Sequence, residues 1–301
     1  MVMSQSPMTS SIAGISITQD EHGINTGRLI GKTLTFPSGA VWRLTKALTP
    51  KIYQQSEPPF EARQVFECVC VCDPQNLYEE MKDAIIKIKY QIKGTRQILF
   101  LYSQNLDDCR QALAEEESQD ERERRLEEFE YARDLVYQAE NPVEVPHRYT
   151  ESELIALRHL RDLDCAYTPH YLEAGAFRLT PEVDEERIIM AGGYMIGILM
   201  TKVPGQKISY DDFWYDKVKE ERDEIRAAFK TALLELWKCQ IYPRDCALRN
   251  IMWDEYGRKC YIVDFEDWDK MTRSDVEAMW DSYPRWRSWQ LSEDRGPSQW
   301  A

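Results

Sequence analysis

The sequence predicts an α+β fold in which a sheet-rich first part leads into a mostly helical second part. Three segments carry the strand signal. Residues 41–48 (VWRLTKAL), 64–72 (QVFECVCVC) and 84–90 (AIIKIKY) are rich in β-branched and aromatic residues and roughly alternate in polarity. The helical signal is clearest in 220–240, where Ile225, Phe229, Ala232, Leu233, Leu236 and Trp237 fall on one face of a 3.6-residue repeat.

Between the first two strands, Pro58 and Pro59 in the segment SEPPF exclude a further central strand. The next block differs in kind: 14 of the 21 residues from Ala114 to Asp134 are charged, with Leu126, Phe129, Ala132 and Val136 at near-helical spacing. That pattern describes a long exposed helix with one thin apolar stripe, which either docks the helix or covers a partner. The run NPVEVP (141–146) stops it. Thr150 and Glu153 then form a capping-box signature ahead of Leu154, Leu157 and Leu160, opening a new helix. An apolar run, 194–203 (YMIGILMTKV), lies between Gly192-Gly193 and Pro204-Gly205 and reads as a buried strand ending in a turn. Residues 250–253 and 259–265 read as a hairpin joined through Asp254 to Gly257. The resulting organisation is a mobile tail (1–22), a first lobe (23–202) with a helical insertion at about 104–140, and a second lobe (203–301).

The net charge of −14 repels nucleic-acid phosphates and anionic lipid headgroups, so neither is expected as a bulk partner. No apolar run approaches the ~18 residues of a membrane span, and the first 18 residues lack the basic-then-apolar order of a secretory signal. A soluble cytoplasmic protein is the expectation. Cys68, Cys70 and Cys72 would share one strand face; buried reduced thiols suit them better than a metal site or a disulfide, given only four scattered histidines.

The chemistry concentrates in residues 242–268, YPRDCALRNIMWDEYGRKCYIVDFEDW. Arg244, Asp245 and Asn250 form R-D-x-x-x-x-N, and Asp264 follows 14 residues after Asn250 at the end of an apolar strand. This stretch resembles the catalytic loop and metal-binding hairpin of protein kinases and kinase-like small-molecule phosphotransferases, closest to the fungal kinase-like and aminoglycoside-phosphotransferase-like groups, whose strand often ends in DFE. The resemblance implies a two-lobed protein-kinase-like fold, with an antiparallel-sheet N-lobe and a reduced helical C-lobe. It also implies ATP and Mg²⁺ as cofactors. Asp245, helped by Arg244, would be the catalytic base that accepts or orients a hydroxyl proton. Asn250 and Asp264 would ligate Mg²⁺, for which hard oxygen donors are suited. In the first lobe AIIK resembles the kinase V-A-I-K motif, which puts Lys87 forward for the phosphates, with Lys89 on the same strand face. Glu153, or alternatively Glu151, would be its helix partner, and Met200 to Val203 the hinge whose backbone meets adenine.

Three departures accompany the resemblance. No glycine-rich loop is visible; the one candidate turn is Ser38-Gly39. Pro243 stands where the family carries His. Only 37 residues follow Asp264, too few for a full helical lobe with an activation segment, and Ala247 replaces the lysine usual in kinases acting on serine or threonine. The aromatic tail (Trp280, Trp286, Trp289, Trp300) either packs on the second lobe or offers a substrate platform.

The functional expectation is an ATP-dependent phosphotransferase acting on a hydroxyl of a small metabolite. A kinase-like binding or scaffold protein without turnover, meeting a protein partner through 108–136, is the alternative, and an accidental match on an unrelated α+β protein is the third reading.

Overall fold

The computed structural model describes residues 29–81, 83–179, 189–271 and 280–295. The expected tail at 1–22 and Trp300 lie outside them. The chain is α+β and divides into two units, one of residues 1–147 and 173–199, the other of 148–172 and 200–301.

The first unit is built on a seven-stranded sheet. Its strands are β1 (Thr33–Thr35), β2 (Val41–Ala47), β3 (Ile52–Gln54), β4 (Glu61–Cys72), β5 (Asp83–Gln91), β6 (Tyr171–Arg178) and β7 (Tyr194–Met200). Their order is β1-β2-β4-β5-β7-β6, and β3 continues the edge of β4 beyond β2. The three strands expected from alternation are β2, β4 and β5, paired antiparallel in succession. Register decides the faces. Phe66, Cys68, Ile86 and Ile88 bury one side of β4 and β5, while Lys87, Lys89 and Gln91 project from the other, opposite Val65, Arg63 and Glu61. Lys87 and Lys89 are 5% and 1% exposed. The common role of a strand lysine as a solvated edge charge is therefore overturned here, because β5 is a central strand covered on both faces.

The helical insertion, expected at about 104–140, is a pair of helices, α1 (Arg96–Glu115) and α2 (Gln119–Glu140). Thr95 caps α1 by accepting the Ile98 N–H. The helix starts eight residues before the expected boundary because Ile98 to Tyr102 is a contiguous apolar cluster, which carries no helical period. Glu116 accepts the Ser118 N–H in the short break. No residue of α1 is buried, whereas α2 buries Ala132 and Ala139. Fully buried Gln91 anchors the end of α2: its Nε2 donates to the carbonyls of Gln138 (3.3 Å) and Asn141 (2.8 Å), and its Oε1 accepts from Val143 N (2.9 Å). A second buried network joins Glu61 to Tyr194 Oη (2.7 Å) and to His147 N (3.1 Å). Burial, then the Glu61 carboxylate, hold the Tyr194 hydroxyl well above its usual range.

The second unit opens with α3 (Arg148–Asp162). This helix begins two residues before Thr150, which is buried inside its first turn and so is not the N-cap expected from the sequence. The lobe boundary at 202 also changes, since 148–172 groups with the later residues. The bonds of this segment explain why. The His159 ring nitrogen meets Cys239 O at 2.9 Å, Lys259 Nζ donates to Ala166 O, and Ile262 N donates to Tyr167 O.

There follow β8 (Gln206–Lys207), a π-helical turn (Asp212–Asp216), α4 (Lys219–Lys238) and β9 (Ile241–Pro243). A 3₁₀ turn (Leu248–Asn250) leads into the hairpin of β10 (Ile251–Asp254) and β11 (Lys259–Ile262). The chain continues through β12 (Trp268–Lys270) and α5 (Ser282–Ser288). Helix α4 buries the face read from the sequence, and Phe229 on that face packs against Trp289 (ring centroids 4.9 Å apart) and Trp286. Trp280 meets Trp237 and Trp286, so the described tail tryptophans take the packing role. Gly205 turns with φ +92° and lies against the Trp253 backbone so closely that any Cβ would collide with it. Among the described residues no helix is long and apolar enough to cross a membrane.

Replacing Gln91 with Leu should lower the free energy of unfolding by about 2 kcal/mol, because it strands three part-buried backbone groups. Urea unfolding followed by tryptophan fluorescence measures this, and an unchanged midpoint would remove the anchor role.

Candidate active site

The site of the second unit is assembled by backbone hydrogen bonds between short elements. Strand β9 pairs with β12, placing Pro243 opposite Trp268 and Tyr242 opposite Asp269. Arg244 N then donates to Asp267 O (2.9 Å), which fixes where the loop leaves the strand. Hairpin β10–β11 aligns Ile251 with Ile262, and Val263 N donates to Asn250 O at 3.0 Å. Asp264 therefore emerges beside Asn250 although 14 residues separate them.

Asp245 and Asn250 are directly linked. The Asn250 side chain is 3% exposed, and its Nδ2 donates to the Asp245 carbonyl (2.9 Å) and to Asp245 Oδ2 (3.2 Å). With the amide nitrogen committed, the planar geometry of the group turns Oδ1 away from Asp245. The Asp245 carboxylate is 38% exposed, and Arg249 Nη2 reaches both of its oxygens at 2.7 and 2.8 Å. Arg244 is an exposed side chain 3.4 Å from Asp269. Cys246 is held in the same turn, its thiol meeting Pro243 O. Burial, then the charge of Asp245, push that thiol up to about 11, while Arg285 and Arg244 pull the other way.

Asp264 has φ +71°, a left-handed conformation that costs an aspartate of order 1 kcal/mol. Its carboxylate lies with those of Glu153 and Glu266, one oxygen from each within 4.8 Å of the others. Glu153 is 2% and Glu266 8% exposed. Trp268 secures this meeting by donating its indole N–H to Ser152 O (3.0 Å), which ties α3 to β12 next to Glu153. Three carboxylates so close repel each other and call for cationic charge among them. Their oxygens form a group that could hold a metal ion.

The structure thus brings Asp245, Asn250 and Asp264 into one unit, with Glu153 added to the acidic group. Lys87 belongs to the first unit, as does the alternative lysine, Lys89. Met200 closes β7 and is buried; Val203 is half-buried in the turn that follows, where Thr201 N donates to His170 O (2.9 Å). The Ser38-Gly39 turn is committed elsewhere. Ser38 N and Oγ donate to the two carboxylate oxygens of Glu173 at 2.7 and 2.8 Å, so they are not donors for a phosphate. Glu266, Trp268 and Arg249 are the participants that sequence reasoning did not assign. Glu266 was within reach as the last letter of the DFE motif; Arg249 and Trp268 had no signal beyond lying in the same stretch.

All eight cysteines are free, and of the alternating three only Cys68 is buried, with Cys70 half-buried and Cys72 exposed at the strand end. Burial lifts the Cys68 thiol to about 12. Compared with models of known families and with curated proteins, the chain matches none of them.

A thiol raised to about 11 or 12 stays protonated at pH 8, so the folded protein should alkylate at exposed Cys72 well before Cys246 or Cys68. Timed iodoacetamide labelling with peptide mass mapping tests the order; early modification of Cys246 would contradict its raised pKa.

Proposed function

We propose that the protein is a kinase-like, Mg-ATP-dependent phosphotransferase that acts on a hydroxyl of a small metabolite. The observation carrying this reading is the joined arrangement of Asp245, Asn250 and Asp264. A buried amide holds an exposed carboxylate, and one backbone bond away a strained aspartate meets two further carboxylates. Phosphoryl transfer asks a protein for alignment and charge neutralisation more than for covalent chemistry. Asp245 would receive the acceptor hydroxyl, taking or orienting its proton. The Nδ2 bond from Asn250 keeps that carboxylate in place, while its Oδ1, with Asp264, would hold Mg²⁺; Glu266 and Glu153 are additional oxygen donors. When bound, Mg²⁺ neutralises phosphate charge. Lys87 is the residue the resemblance assigns to the nucleotide phosphates, with Glu153 as its partner, and its burial in a central strand supports a specific role over a solvated one. Met200 and Val203 retain the adenine-hinge assignment from the same resemblance.

Binding without turnover is the second reading, and the Ser38–Glu173 clip favours it, since a phosphate cradle made from that turn would have to give up two hydrogen bonds. A protein partner along 108–136 belongs to this reading.

Calorimetric titration of Mg-ATP should give micromolar binding to the wild type and none to Asp264→Ala. Absence of binding to the wild type would defeat the phosphotransferase reading. Asp245→Asn should bind Mg-ATP within about threefold of wild type yet lose transfer by about 10³-fold or more. A variant that binds and transfers at the wild-type rate would remove Asp245 as the base, and binding without transfer in the wild type, across a broad panel of hydroxylated metabolites, would favour the second reading.

A further inference from the structure

The Arg249–Asp245 contact conflicts with the role proposed for Asp245. A carboxylate that receives a hydroxyl must present an oxygen, yet one Arg249 nitrogen bridges both oxygens, and Asn250 takes a further site on Oδ2. The two guanidinium contacts are not a locked pair. The Arg249 side chain is 58% exposed, and an ion pair so open to solvent is worth little. The Asn250 contact, made by a buried side chain, does not depend on it. Arg249 can therefore leave without the carboxylate losing its position.

A departing guanidinium needs another anion. Three guanidinium groups stand close to this turn although the chain as a whole carries −14. Arg244, Arg249 and Arg285 surround the Asp245–Cys246 corner, and Arg285 is fixed there by donating to Tyr242 Oη (2.5 Å) and by lying over the Trp237 and Tyr242 rings. Asp267 and Asp269 are the acidic neighbours on the paired strand; Asp269 takes up Arg244, which leaves Arg249 as the movable cation.

We propose that Arg249 is the specificity residue of the acceptor: it recognises an oxyanion, a phosphate or carboxylate, on the hydroxylated substrate, and in turning to it releases Asp245 for the hydroxyl. The acceptor is then an anionic hydroxyl compound, and a neutral one offers nothing to hold Arg249 away from the carboxylate. This rests on the phosphotransferase reading for the word acceptor, while the oxyanion site itself does not.

The test titrates inorganic phosphate into the wild type, Arg249→Glu and Arg249→Gln, with Arg258→Glu as a control of equal charge change at the exposed hairpin turn. Each titration is run with and without saturating Mg-ATP, and folding is checked by circular dichroism. The expected result is phosphate binding that weakens about tenfold or more in both Arg249 variants and holds in Arg258→Glu. That binding should persist when Mg-ATP is present. No phosphate binding to the wild type, or equal weakening in Arg258→Glu, overturns the site. Displacement of phosphate by Mg-ATP overturns the acceptor assignment and gives Arg249 to the nucleotide phosphates. Phosphate binding at Arg249 in a protein that binds no Mg-ATP leaves the oxyanion site standing while the phosphotransferase reading falls.

Discussion

Asn250 is bound in several directions at once, and the geometry of the second unit depends on that. Its side-chain amide reaches back to the Asp245 carbonyl and carboxylate, and its backbone carbonyl accepts the N–H of Val263. Its own N–H closes the 3₁₀ turn onto Ala247. A residue 3% exposed cannot leave such groups unmade without a desolvation penalty of about 1–3 kcal/mol each. The loop before the hairpin and the strand after it are consequently locked to the same point. Aspartate in place of Asn250 would keep the size but remove the donor, turning an attraction to Asp245 into a repulsion.

Each unit gathers its own charged groups. In the first, one face of β4 and β5 sets Lys87, Lys89 and Gln91 across from Val65, Arg63 and Glu61, with both lysines and the glutamine buried. In the second, carboxylates gather at Glu153, Asp264 and Glu266 while guanidinium groups collect around Asp245.

How far the sequence could be read follows from distance along the chain. Asp245, Asn250 and Asp264 were legible because a single turn and a single hairpin relate them, and local spacing carries that information. The central strands β2, β4 and β5 showed through period-two alternation, and α4 through its apolar face. Glu153 illustrates the limit. Its place beside Asp264 depends on an indole–carbonyl bond between Trp268 and Ser152, residues more than a hundred positions apart, and no local pattern encodes it. The short strands β1 and β3 were invisible because three residues do not establish a period. Exposure of Cys72 also escaped, since alternation assigns a face but says nothing about where a strand runs out into solvent.

Helix α1 buries none of its twenty residues. Its twenty helical positions are held by backbone hydrogen bonds, one cap, the neighbouring helix α2 and Tyr102, whose ring meets buried Phe60 and whose hydroxyl donates to Ser56 O. Such an element sits at the low end of local stability and opens on its own without unfolding the sheet. Its sequence is correspondingly unconstrained by packing. Substitutions there are filtered by solubility and by whatever the helix meets, so this is the stretch of the first unit where the chain can diverge most freely while β4, β5 and Gln91 stay fixed.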